Sequence, residues 1–339
     1  MRLSLAAGLS YTDGMPINKP ADFSLLTPER VLDAVETALE IRLDPWTQPL
    51  PSYVNRVYGL RAEDGTPLVA KFYRPNRWPH EALLEEHRFV RELAEAEIPV
   101  VEPMELRTGE TLGHCGTIGF AVLPRRGGRP FEALDTAAWE RVGTLLGRMH
   151  AVGAAEDAPH RRDLHPEASM QEDIDFLVAG TFIAGPERDA LHELGQDLID
   201  RIAPLFDTVA PIRLHGDFQR TNLLERPDTG LLPIDFDDMM NGPAVQDLWL
   251  LLPDAPENCP LEIDALLRGY TRFMPFDDAT LALIEPLRTM RMIHYLSWCA
   301  RQYHDYGFAQ AHADWGTDEF WQQEIRALRE QEARLPPEH

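Results

Sequence analysis

The chain predicts a two-lobed α+β fold: a small antiparallel sheet carrying one main helix, followed by a larger, mainly helical lobe. Three observations carry this. Two β-rich runs, Leu50–Leu60 and Pro67–Tyr73, flank an Asp64-Gly65 turn and read as a hairpin. From Asp135 onward apolar residues recur at helical spacing, broken only by a short two-strand insertion near 212–236. Between the halves lies Pro124-Arg125-Arg126-Gly127-Gly128-Arg129-Pro130, rich in breakers and suited to a hinge. Strands first and helices after give α+β, not an alternating βαβ order.

At 339 residues the chain is long enough for such a two-lobed unit, and 44% hydrophobic with 26% charged residues is ordinary for a globular protein. No apolar run approaches the roughly 20 residues of a membrane span. The patch in Met1–Ser10 is too short for a secretory signal, so the reading is cytoplasmic, with no membrane partner. Cys115, Cys259 and Cys299 are odd in number and far apart, which fits buried free thiols and neither a disulfide framework nor a zinc site. A net charge of −24 lacks the basic footprint that nucleic-acid binding needs. The acidity suits a cationic acceptor but is read first as a solubility habit.

Residues 1–24 show no periodicity and are expected to be an extension. Thr27-Pro28-Glu29 opens a helix, with Thr as N-cap, Pro at the first position and an acid in the first turn. In the hairpin that follows, Ser52 and Asn55 precede the first strand's core. Their hydroxyl, amide and turn N–H groups can face phosphates, although no Gly-x-Gly-x-x-Gly is present. The chain holds only two lysines, Lys19 and Lys71, and uses arginine at its other thirty basic positions. Lys71 lies inside an apolar strand, where a compact ammonium can reach between phosphate oxygens better than a planar guanidinium.

Residues 80–97 form a helix with Leu83, Phe89, Val90, Leu93 and Ala94 on its apolar stripe. Either Glu85 or Glu86 supplies the carboxylate facing Lys71, and the count back from Leu93 favours Glu86. Two further strands are expected at 100–106 and 116–123. The N-lobe therefore spans 25–124. The C-lobe spans 125–330, with helices from Asp135 through His150 and over 168–180, 186–208, 261–273 and 278–303; residues 331–339 are a tail.

The most informative stretch is Leu214-His215-Gly216-Asp217-Phe218-Gln219-Arg220-Thr221-Asn222, followed after a Pro227-Asp228-Thr229-Gly230 turn by Ile234-Asp235-Phe236-Asp237. Alone, His-Gly-Asp is a polar turn. With Asn222 five residues on, Asp235 thirteen further and apolar flanks, it matches the His-x-Asp-x-x-x-x-Asn and Asp-Phe pattern of the kinase fold. There Asp217 accepts the proton of an acceptor hydroxyl, and Asn222 and Asp235 hold Mg²⁺ through hard oxygens. Lys71 holds ATP phosphates and Glu86 orients it. His215 packs the loop, and His150 is a structural hydrogen-bonding residue. Asp247 either caps the following helix or bonds back to the 215–217 loop.

The chain resembles the aminoglycoside-phosphotransferase and choline-kinase group, whose fold is protein-kinase-like. The broad likeness lies in Leu214–Asn222, Ile234–Asp237 and Asp247-Leu248. Longer strings make it most similar to the bacterial stress response kinase A family: Ser52-Tyr53 with Asn55–Tyr58, Lys71–Pro75 with Arg77-Trp78, Leu84–His87, Asn241–Trp249 and Glu285–Arg288. That resemblance covers about residues 25–325. It implies an ATP- and Mg²⁺-dependent Ser/Thr protein kinase, monomeric, cytoplasmic and linked to stress survival. By position it makes Asp217 the proton acceptor, Asn222 and Asp235 the metal ligands, and Ser52 part of the ATP loop. Gln219 stands where the family usually has His. Two other readings use the same residues: a small-molecule phosphotransferase with a different acceptor cleft, and a nucleotide-binding pseudokinase.

Overall fold

A computed structural model describes residues 21–133, 135–228, 230–305 and 307–336. The expected extension lies almost wholly outside these residues, as do Thr229 of the turn and the last three residues of the tail.

The first lobe opens with helix α1 (Pro28–Leu39), capped by the Thr27 hydroxyl accepting from Arg30 N. Strands β1 (Gln48–Leu50), β2 (Arg56–Arg61), β3 (Pro67–Phe72), β4 (Gly113–Cys115) and β5 (Ile118–Pro124) form one antiparallel sheet ordered β1-β2-β3-β5-β4. Helix α2 (His80–Glu95) covers its other side. The two-residue period of a strand sorts β3. Leu68, Ala70 and Phe72 pack into the core shared with Val31 and Val35 of α1, while Val69, Lys71 and Tyr73 face the cleft. Lys71 pairs with Val57 on one side and Ala121 on the other, so its backbone is central in the sheet and not at an edge.

Two expectations are corrected here. Residues 100–106 form no strand: Pro99 and Pro103 remove ladder donors, and the segment bonds to the sheet through Met104 N to Val122 O. The fifth strand is instead the short β4. The run 50–60 is also not continuous, because residues 51–55 leave the ladder between β1 and β2 and form the loop over the cleft.

The second lobe contains β6 (Arg129–Pro130), α3 (Thr136–Gly153), α4 (Gln171–Ala179), α5 (Gly185–Phe206), β7 (Ile212–Leu214), β8 (Leu223–Arg226), β9 (Gly230–Pro233), β10 (Met240–Gly242), α6 (Val245–Trp249), α7 (Pro260–Tyr270), α8 (Ile284–Gln302), α9 (Phe308–Ala311) and α10 (Asp318–Glu332). The expected two-strand insertion is larger than read. β8 pairs with β9 and with β6 from the hinge, and β7 pairs with β10, so the insertion is tied into the lobe at both ends. Helix α10 is also not among the expected elements.

The C-lobe core has two parts. One packs α4, α5, α8 and α10 around Leu198, Ile293 and Trp321; the other packs α3 and α7 around Leu146, Leu266 and Tyr270. α3 and α7 cross in close contact because glycines line the crossing: a Cβ on Gly143 would lie 1.9 Å from Leu266 O, and one on Gly269 2.1 Å from Glu140 O. This clamp fixes the helix that carries His150, and through it the loop that carries Asp217.

Candidate active site

Between the lobes lies a cleft of about 650 Å³, lined from both sides. Five of the residues expected at the site from the first lobe or the Asp-Phe segment line it: Ser52, Asn55, Lys71, Glu86 and Asp235. Asp217 lines it too, and Asn222 joins through Asp217.

The loop 215–222 is held from below by one carboxylate. Asp247 accepts from His215 N at 2.8 Å through Oδ2 and from Gly216 N at 2.9 Å through Oδ1. Of the two roles open to Asp247, it therefore takes the bond back to the loop; it makes no capping bond to α6. His150 completes this anchor, with Nε2 3.2 Å from Asp247 and Nδ1 3.0 Å from the Tyr270 hydroxyl. Gly216 has φ +85°, and a Cβ there would lie 2.0 Å from Asp238 O, so only glycine lets the loop pass this close to the Asp-Phe segment. His215 is fully buried; its Nε2 donates to Ile234 O at 2.9 Å and its ring packs against Phe218 and Phe236.

This scaffold presents Asp217. Its Oδ2 accepts from Gln219 Nε2 at 2.8 Å and Asn222 Nδ2 at 3.1 Å. Its Oδ1 accepts from Arg291 of α8 at 3.0 Å. Asn222 also donates to Asp217 O, so its amide NH₂ is committed and Oδ1 is its acceptor atom turned elsewhere. Ile234 N donates to Asn222 O, joining the two segments one residue before Asp235. Asp235 itself has φ 65° and ψ 68°, a left-handed conformation that costs most non-glycine residues energy and that Asp adopts more readily than most. Its side chain is 56% exposed and reaches into the cleft.

Lys71 meets it there. Its Nζ lies 3.1 Å from Asp235 Oδ1, 3.1 Å from Asp237 Oδ1 and 3.9 Å from Glu86 Oε1. Burial alone would lower the Lys71 pKa, but Asp237, Asp235 and Glu86 reverse this and hold it well above its ordinary value. Glu86 in turn accepts from Arg161 at 2.8 Å. Burial, with Asp237 and Asp235 nearby, raises the Glu86 pKa despite Lys71 and Arg161. Glu85 points elsewhere, accepting from His160 N and Nδ1. Between the two glutamates, the one facing Lys71 is Glu86.

Several residues here were not expected. Asp237, quoted in the motif but given no role, is buried among Asn55 Nδ2 at 3.2 Å, Arg77 and Lys71. Burial would raise its pKa, but Arg77 and Lys71 hold it well below the carboxylate range. Arg161, whose side chain is fully buried, bridges Ala82 O, Asp237 O and Glu86 while its guanidinium lies 4.4 Å over Trp78. Arg291 comes from a helix far along the chain. Arg77 sits in a string already singled out, whereas nothing local in the sequence marks Arg161 or Arg291.

Ser52 is exposed on the loop between β1 and β2. Its neighbour Tyr53 crosses the cleft to pack on Trp298 of α8, ring centroids 5.1 Å apart. Asn55 has its amide engaged by Asp237 and its Oδ1 accepting from Arg74 N at 2.9 Å. It thus fastens that loop to the cleft floor.

Among the described residues no cluster of three or more His, Cys, Asp or Glu forms a closed metal cage. Asn222 and Asp235 offer instead an open, all-oxygen pair, which suits Mg²⁺ because that ion keeps most of its shell as water and substrate phosphate. Among the described residues no helix is long and apolar enough to cross a membrane.

Comparison with known proteins bears on the family and the fold. Residues 46–284 match the model of the phosphotransferase enzyme family. The chain is 36% identical over 316 residues to stress response kinase A of Escherichia coli K12, covering 93% of this chain and 95% of that one. It is also 36% identical over 311 residues to the serine/threonine protein kinase RdoA of Salmonella typhimurium LT2, covering 91% and 93%. In fold it is similar to the amicoumacin kinase hAmiN, solved with AMP-PNP, Ca²⁺ and Ami, at TM-score 0.72, 18% identity and coverage of 92% and 95%. A microcompartment-associated aminopropanol kinase gives TM-score 0.64 at 16% identity, covering 89% and 94%. With its two-lobed kinase-like fold and its likeness to these kinases along nearly the whole chain, the protein belongs to the phosphotransferase enzyme family and, within it, to the stress response kinase A family.

Proposed function

We propose that the protein transfers the γ-phosphate of ATP, with Mg²⁺, to serine or threonine hydroxyls of other proteins. It would act as a cytoplasmic monomer in a stress response. The observation that carries the kinase chemistry is the meeting of Lys71 with Asp235 at 3.1 Å across the cleft, beside the Asp217–Asn222 pair. With the lobe boundary taken at residue 124, 25–124 would serve the nucleotide and 125–330 would carry the catalytic and metal-binding loops.

Phosphoryl transfer needs positioning and charge neutralisation more than covalent help from the protein. Lys71, held charged by its carboxylates, would exchange Asp235 for phosphate oxygens when ATP enters. Glu86 would keep the ammonium aimed, and the backbone and Ser52 hydroxyl of loop 51–55 would close over the phosphates. Asp217 would orient the acceptor hydroxyl and take its proton as the new bond forms. Asn222 and Asp235 would hold Mg²⁺, which, when bound, neutralises charge on the phosphates.

Support for a protein acceptor is the 36% identity to a kinase named for serine and threonine. One observation favours a second reading, a small-molecule acceptor. Tyr53 packed on Trp298 roofs the acceptor end of the cleft, where a peptide would need an open groove. Incubation with radiolabelled ATP, Mg²⁺ and fractionated cell extract separates the two. Label on serine or threonine of protein is expected; label found solely in the metabolite fraction would install the small-molecule reading. Asp235→Ala is expected to abolish Mg²⁺-dependent ATP binding, and unchanged affinity would remove Asp235 from the metal site.

A further inference from the structure

The transferring phosphoryl group carries negative charge on its three equatorial oxygens, which pass close to Asp217 as the acceptor attacks. The catalytic loop brings no cation there. Two residues after Asp217 stands Gln219, an uncharged amide whose Nε2 is spent on Asp217 itself. Arg220, the one Lys or Arg of 215–222, turns away: its Nε donates to Leu251 O at 3.0 Å and its guanidinium lies 5.0 Å over the Trp139 ring. Of the other cations lining the cleft, Arg126 comes from the segment after β5, and three have carboxylate partners away from Asp217. Lys71 sits among Asp235, Asp237 and Glu86; Arg77 is paired to Asp237 and Asp238; Arg162 is 2.6 Å from Asp173.

Arg291 is different. It projects from α8 into the cleft, and among the described residues its one ion pair is the bond to Asp217 Oδ1 at 3.0 Å. A guanidinium has five N–H donors in a rigid planar fork, so one bond to Asp217 leaves other donors for neighbouring oxygens. The Asp217 bond also aims the group before any substrate arrives, so little reorganisation is needed at the moment of reaction.

We propose that Arg291 is a catalytic residue, an arginine finger supplied in cis by α8, which stabilises the phosphoryl group in flight. This rests on the phosphotransferase reading above. In the step, the acceptor oxygen bonds to the γ-phosphorus as the bond from that phosphorus to the β–γ bridging oxygen breaks. ADP leaves with the electron pair, and the acceptor proton passes to Asp217. Arg291 donates to the equatorial oxygens of the transferring group while keeping its edge on Asp217.

The test uses the whole protein and needs no identified acceptor. Mg·ADP affinity is measured with and without aluminium fluoride, which mimics the transferring phosphoryl group. The parent protein is expected to bind Mg·ADP more tightly with the fluoride. Arg291→Ala should lose that tightening by at least about tenfold, while affinity for Mg·ADP alone shifts less than about twofold. Arg291→Lys should recover part of it, because charge returns without the fork. Full tightening in Arg291→Ala overturns the inference and leaves Arg291 a contact for acceptor binding; no tightening in the parent, with Mg·ADP bound, overturns it as well. Failure of the parent to bind Mg·ADP at all would instead bring down the phosphotransferase reading, and this inference with it. Should Arg291→Ala fail to bind Mg·ADP where the parent does, Arg291→Gln, which keeps length but not charge, decides by the same ratio.

Discussion

At the Lys71 end of the cleft, charges are buried and shared among several partners; at the Asp217 end, the pair of Asp217 with Arg291 is partly open to water. Lys71, Glu86, Asp237 and Arg161 have side chains no more than 13% exposed, and each of them touches at least two others of the cluster or its neighbours Arg77 and Asn55. Asp217 and Arg291 are 21% and 40% exposed. A buried pair costs much desolvation and holds only when each member is satisfied; breaking it leaves an uncompensated charge. A half-exposed pair is screened and contributes little to stability. The Lys71 end is thus built to hold one arrangement, and the Asp217 end is built so that partners can change.

Four measurements would break or sharpen that contrast. The largest effect belongs to Asp217→Ala, which should lower phosphate transfer by roughly 10²–10⁴-fold. Because the site is half-open, its unfolding midpoint in urea should stay close to the parent's. Unchanged transfer would remove Asp217 from the chemistry.

Next is Asp237→Ala, which takes a buried carboxylate away from Lys71 and Arg77 and leaves the buried cluster short of one negative charge. Equilibrium unfolding should show a loss of about 3–5 kcal/mol. A loss as small as that of a surface pair would mean that the buried network tolerates gaps, and the contrast would fail.

The third concerns His87, buried behind the Lys71 cluster with Nε2 2.7 Å from the Tyr73 hydroxyl and Nδ1 2.7 Å from Thr111 Oγ1. Burial, then Lys71 and Arg161, push its pKa down from 6.5 to about 3. Between those values the unfolded chain binds a proton that the folded chain does not. This part of the stability is therefore complete above pH 6.5 and declines as pH falls toward 3. His87→Gln should remove from the stability profile a slope of up to roughly 1.4 kcal/mol per pH unit in that window. Asp237, with its lowered pKa, adds a further loss that sets in as pH drops below the ordinary carboxylate value of 3.8. A variant profile parallel to the parent's from pH 6.5 to 3 would contradict the assignment of His87 as buried and neutral.

The smallest effect is expected for Arg301→Ala. It breaks the half-exposed 3.1 Å pair with Glu172 and a 3.7 Å contact with Asp173, which keeps Arg162 and His294, and should cost about 1 kcal/mol or less in thermal or urea unfolding. A cost like that of Asp237→Ala would show the half-exposed pairs to be held as firmly as the buried cluster.

What could be read along the chain follows the same division. The loop 215–222 and the Asp-Phe segment were legible because their chemistry depends on short, fixed spacings. Lys71 stood out because the chain otherwise avoids lysine, and Glu86 followed from the helical count. The strand expected at 100–106 failed because apolar content was counted while Pro99 and Pro103, which cannot donate to a ladder, were not weighed against it. The larger insertion was missed because β6 and β10 are only two and three residues long, below what periodicity detects.

Local sequence determined the elements, the lobe order and the residue types of the site, since capping, alternation and helical period act over a few neighbours. Tertiary structure alone decided that Arg161 would lock Glu86, that Asp237 would share Lys71, and that Arg291 would reach Asp217 from 74 residues away. An arginine's partner depends on how the helices that carry it pack. That packing is set by contacts such as the Gly143–Leu266 crossing, which join residues far apart in the chain.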